Sequence, residues 1–100
     1  MQLCLLTLIA APSLEDALVD WLLVQDEISG FSSSSIDGHG SRESGMSLME
    51  QVTGRQKRVQ FLIHTNITVA ERLIQKLRVD FIGTGLHYFV LPVSTYGSIA

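Results

Sequence analysis

The feature that most constrains the fold is an internal repeat at an offset of 55 residues. Ser13 and Thr68 keep that offset, as do Asp16 and Glu71, Leu18 and Leu73, Leu22 and Leu77, and Gly30 and Gly85. In each half an apolar run leads to a polar residue suited to cap a helix, and then to an apolar stripe at helical spacing. A second extended run follows each helix. One such unit cannot bury its own apolar surface, so two of them in a short chain are expected to share one sheet. The expected fold is α+β, a ferredoxin-like split βαβ sandwich of order βαββαβ. It forms a single domain over residues 1–100. The sheet is antiparallel, and right-handed crossovers place both helices on one face.

The elements follow in order. Residues 2–10 read as a strand with Leu3, Leu5 and Ile9 on one side and Cys4, Leu6 and Leu8 on the other. Both sides are apolar, the pattern of a strand covered twice. No basic residues precede this run and it is too short to span a bilayer, so it reads as a strand and not a signal peptide. Pro12 ends it, Ser13 is the expected N-cap, and Asp16 adds a first-turn carboxylate. Leu14, Ala17, Leu18, Trp21 and Leu22 then form one helical stripe, with Trp21 read as core.

Ser32 to Ser35 alone would read as a linker, but the second half supplies a template for a strand over residues 31–40. Residues 56–64 alternate Val59, Phe61 and Ile63 with Arg58, Gln60, Leu62 and His64. Thr68 and Glu71 read as a capping box, ahead of a stripe of Ala70, Leu73, Ile74 and Leu77. Gly83-Thr84-Gly85 is a turn and residues 86–91 a fourth strand, closed by Pro92. The tail, 93–100, is left open between a short edge strand and disorder.

Two helices cover only one face of such a sheet. In the fourth strand His87, Phe89 and Leu91 oppose Leu86, Tyr88 and Val90, so half of the set would be bare in a monomer. Burying one more Leu or Phe side chain contributes about 1.5–3 kcal/mol, so another subunit is expected there, in a closed cyclic assembly. The net charge of −3 provides no basic field for nucleic acid or an anionic membrane. Cys4 is the only cysteine, which rules out an intramolecular disulfide and fits a reducing cytoplasm.

Residues 41–54 form a loop too long for a hairpin turn, and such loops tend to carry function. Met46, Leu48 and Met49 are its candidate partner-binding tip, methionine being suited to adaptable surfaces. This loop is expected to be the least protected part of the free protein. Arg55, Lys57 and Arg58 at its exit are candidate cations for a ligand, Arg58 foremost. Gly38 and Gly40 at its entry allow positive φ or close approach of a ligand to the backbone. His39, His64, His87, Cys4, Met46 and Met49 have no local chelating spacing, so no metal site is assigned. Asp37 and His39 share a strand face, but no nucleophile–base pair is visible and no catalysis is expected.

The element order with its long central loop resembles that of the PII signal-transduction proteins. Gly38-His39-Gly40-Ser41-Arg42 resembles the Gly-x-Gly followed by Arg or Gln at which their large loop begins. Ile82-Gly83-Thr84-Gly85, with Phe89-Val90-Leu91-Pro92-Val93 after it, resembles their Ile-Gly-Asp-Gly turn and final strand. In detail the chain is similar to a small PII-like family found beside heavy-metal efflux systems. The resemblance implies a homotrimer with a small-molecule effector in the clefts between subunits. By position, Gly38, Gly40, Arg42, Gly83 and Gly85 would line the cleft. It also implies a target protein, such as a membrane transporter, bound through the loop. In the PII proteins adenine nucleotide or 2-oxoglutarate resets that loop. Here Leu86 stands where the PII turn carries lysine, and the loop is shorter and holds no tyrosine to be uridylylated. The effector is therefore unassigned. The alternative is a metal-binding accessory protein linked to metal efflux.

Overall fold

The structure, a computed structural model, describes residues 2–39 and 55–100. Its elements are β1 (Leu3–Ala10), a 3-10 turn (Pro12–Leu14), α1 (Glu15–Leu23), β2 (Ser32–Gly38), β3 (Gln56–Asn66), α2 (Ile67–Asp80) and β4 (His87–Pro92). The sheet order is β2-β3-β1-β4 and every neighbouring pair is antiparallel. This is the expected ferredoxin-like arrangement. The repeat persists in it: Ser32 and His87, which open β2 and β4, are again 55 residues apart.

Strand alternation divides the sheet cleanly. Cys4, Leu6, Leu8 and Ala10 of β1 and Val59, Phe61 and Ile63 of β3 are buried on one face. Leu18 and Leu22 of α1 and Val69, Ala70, Leu73, Ile74 and Leu77 of α2 complete that core. Both helices therefore lie on one side, as right-handed crossovers require. On the other face, Leu5 stands opposite His64 and Leu91, Thr7 opposite Leu62 and Phe89, and Ile9 opposite Gln60 and His87. No element among the described residues covers this face.

Several local expectations need correction. Ser13 does not cap α1: it sits inside the 3-10 turn, and the helix begins at Glu15 with no side-chain cap at Leu14. Pro12 at the start of that turn fixes its geometry instead. Thr68 and Glu71 form no capping box either. Asn66 is the N-cap of α2, its Oδ1 accepting from the Val69 amide at 3.0 Å. β3 thus runs two residues further than expected, and Thr68 falls inside the helix. Ala17 is exposed, and the buried stripe of α1 narrows to Leu18 and Leu22. Trp21 is half-buried; its Nε1 donates to Asp80 at 2.8 Å and its ring meets Phe81 edge-on, joining the two helices.

The serine run forms a polar edge strand, paired with β3 from Ser32 opposite Leu62 to Gly38 opposite Gln56. The tail beyond β4 is not a strand. Its Val93 amide donates to the Leu3 carbonyl, and Tyr96 stacks on His64 with ring centroids 4.6 Å apart. Among the described residues no helix is long and apolar enough to cross a membrane.

Candidate functional site

Gly38 ends β2 at the edge of the sheet where β1 also ends and β3 and β4 begin. It holds an ordinary strand φ, since Gly83 and Gly85 are the positive-φ glycines among the described residues. Neither backbone conformation nor space demands glycine at this position. A Cβ there would stand 3.4 Å from the Gln56 carbonyl oxygen and 3.6 Å from Arg58 Cγ.

Gly83 and Gly85 lie in the turn between α2 and β4, with φ of 78° and 77°. Side chains are strained in that conformation, and open space surrounds both positions. Thr84 fastens the turn: its hydroxyl donates to the Phe81 carbonyl at 2.7 Å.

These two glycine segments sit at the same end of the sheet but on opposite edges. β2 and β4 are three strand spacings apart, about 14 Å. One protomer therefore does not bring Gly38 together with Gly83 and Gly85. Gly40, Arg42, Met46, Leu48 and Met49 lie outside the described residues.

The three cations at the loop exit do not form one cluster. Lys57 stands opposite Asp37 and donates to its Oδ1 at 2.9 Å; Arg55 approaches the other oxygen at 3.9 Å. The bond from Lys57 is the main cause holding the Asp37 carboxyl below its ordinary value, with Arg55 and His39 adding smaller attractions. Arg58 lies on the other, uncovered face, opposite Ile36, and its guanidinium donates to the Lys57 carbonyl at 3.4 Å.

The candidate metal ligands are dispersed. Cys4 is in the core, where burial pushes its thiol up. His64 and His87 lie on the uncovered face, in different strands. Among the described residues no three His, Cys, Asp or Glu side chains converge on one point.

A feature that sequence reasoning missed is a cavity of about 330 Å³ between the last turn of α2 and β4. Ile74, Leu77, Phe81 and Leu86 contribute to its apolar walls, and Gly83 and Gly85 to its rim. Arg78 and Tyr88 are its polar groups. The guanidinium donates to the Tyr88 hydroxyl at 2.8 Å and lies 5.5 Å from the ring centre. The signal was present: alternation in the fourth strand puts Tyr88 on the helix side, and Arg78 lies one turn beyond Ile74 of the α2 stripe.

A family model described as protein of unknown function (DUF3240) matches residues 1–100. No curated protein matches the chain. A solved DUF3240 family protein from Shewanella baltica is 26% identical, with a TM-score of 0.80 over 100% of this chain and 99% of that one. A putative PII-like signaling protein from Thermus thermophilus is 22% identical, with a TM-score of 0.66 over 93% of this chain and 88% of that one. A nitrogen regulatory PII-like protein from Thiomonas intermedia, solved with ADP, AMP and bicarbonate, is 16% identical. Its TM-score is 0.70 over 99% of this chain and 98% of that one. The last two likenesses establish a shared fold.

Proposed function

The chain belongs to the DUF3240 family, and from that premise we propose a PII-like regulatory protein that works as a homotrimer in the cytoplasm. The observation that carries this reading is the position of the two glycine segments, at one end of the sheet and three strands apart. Packing the uncovered sheet faces of neighbouring protomers together would bring β2 of one chain near β4 of the next. Gly38, Gly40 and Arg42 from one protomer and Gly83 and Gly85 from its neighbour would then line a shared cleft. Backbone amides flanked by glycine suit anionic groups, and an arginine binds them through a bidentate fork. Arg58, on the face that assembly would cover, is the further cation at that cleft. Met46, Leu48 and Met49 would meet a target protein, such as a membrane transporter, and the cleft effector would control that contact. No catalytic step is proposed.

The effectors to try first are those held by the Thiomonas protein: ADP, AMP and bicarbonate. Calorimetric titration of the full chain tests the reading. Saturable binding of one of the three, weakened by Arg58→Gln and unaffected by replacing Met46, Leu48 and Met49 with serine, is the expected result. Absence of binding by all three, or full binding to the Arg58 variant, would count against the cleft as drawn. The metal-accessory alternative gains no specific support from the described residues.

A further inference from the structure

We infer that the cavity between α2 and β4 binds a small monoanionic amphiphile, a carboxylic acid with an alkyl or aromatic body. The cavity lies on the helix side of the sheet, the side of Leu8 and Tyr88, and so is distinct from a cleft built on the uncovered face. Only the Gly83 and Gly85 rim is common to both.

The walls determine the body of the ligand. Leu77, Phe81, Ile82 and Leu86 present carbon to the cavity, and Ile82 is 80% exposed in the free chain. About 330 Å³ is at the lower end of the range for small-molecule pockets, roughly 300–1,000 Å³. A compact apolar body fits that volume.

The single cation determines the head. Arg78 supplies a planar fork matched to a carboxylate. Among the described residues it pairs with no acid; its contacts are the hydroxyl and ring of Tyr88. Those contacts hold the guanidinium in place before a ligand arrives, so less ordering is needed on binding. One positive charge, exposed and held against Tyr88 beside an apolar wall, selects one negative charge on an apolar ligand. The Phe81 carbonyl just past α2 is taken up by the Thr84 hydroxyl and amide, which both donate to it. The positive-φ glycines keep side chains off the rim and leave the entrance open.

The test is a titration of the full-length, nitrogen-15-labelled protein with sodium octanoate, followed by amide shifts. The inference expects saturable shifts centred on Gly83, Gly85, Leu86 and Tyr88. Octylamine, with the same body and the opposite charge, should leave those amides unmoved. Arg78→Gln should weaken octanoate about tenfold or more, the loss of a charged hydrogen-bonded pair, while its spectrum remains native. Tyr88→Phe, which keeps the ring and loses the hydroxyl, should show a smaller loss and serves as the second variant if Arg78→Gln does not fold. Equal binding of octanoate and octylamine would overturn the inference. So would octanoate shifts centred elsewhere, or undiminished binding to both variants.

Discussion

At the residue scale, small polar groups decide where the elements begin. Asn66 supplies the acceptor for the Val69 amide and Ser13 and Thr68 do not serve as caps. Asn66→Ala should therefore cost about 1 kcal/mol, while Ser13→Ala and Thr68→Ala stay within about 0.5 kcal/mol. Urea unfolding of the three variants checks the contrast. The sequence made Ser13 and Thr68 look equivalent because the repeat pairs them. It did not show that the strand before each helix ends differently, through Pro12 in one half and Asn66 in the other.

Asp37 is the other residue with a measurable consequence. Lys57 holds its folded pKa below the ordinary value. The pair therefore adds stability that is fully present above the unfolded carboxylate range, about pH 4. That contribution fades as pH falls through the lower folded value. The pair is exposed, so the effect is small and screened by salt. Melting curves across pH should show wild type above Asp37→Asn near neutrality, with the gap closing in acid. A gap that widened in acid would contradict the pairing.

At the element scale, periodicity succeeded where one face is buried and failed where burial is partial. The α2 stripe of Ala70, Leu73, Ile74 and Leu77 is buried as read, because a helix lying centrally over β1 and β3 buries its whole apolar face. The stripe of α1 is narrower than its spacing implies: Ala17 carries too little apolar surface to hold the helix rotated toward it, and it faces solvent. Leu73→Ala should cost about 2–5 kcal/mol through the cavity it leaves, whereas Ala17→Lys should be nearly neutral. Denaturant midpoints of both variants are the measurement, and a neutral Leu73→Ala would contradict the core as described. The site was legible only in part. Glycine turns announce themselves by residue type, and Gly83 and Gly85 do hold positive φ. The Arg78–Tyr88 pair joins residues from a helix and a strand, so its meeting is a product of packing and not of any local motif.

At the scale of the whole molecule, the uncovered sheet face is the central fact. Phe89 and Leu91 are 46% and 48% exposed there, next to half-buried Leu5, Ile9 and Leu62. Thr7 lies in the middle of that face, buried, with a hydroxyl oxygen that finds no partner among the described residues. Covering the face with further copies of the chain would bury the apolar rows and also unite the two glycine segments. Solution mass by light scattering, on wild type and on Phe89→Glu, tests this most directly. The account predicts three times the 11.0 kDa chain for wild type and a smaller, folded species for Phe89→Glu, whose charge is costly to bury. A wild-type mass of a single chain, at the concentrations where ligand is bound, would contradict it.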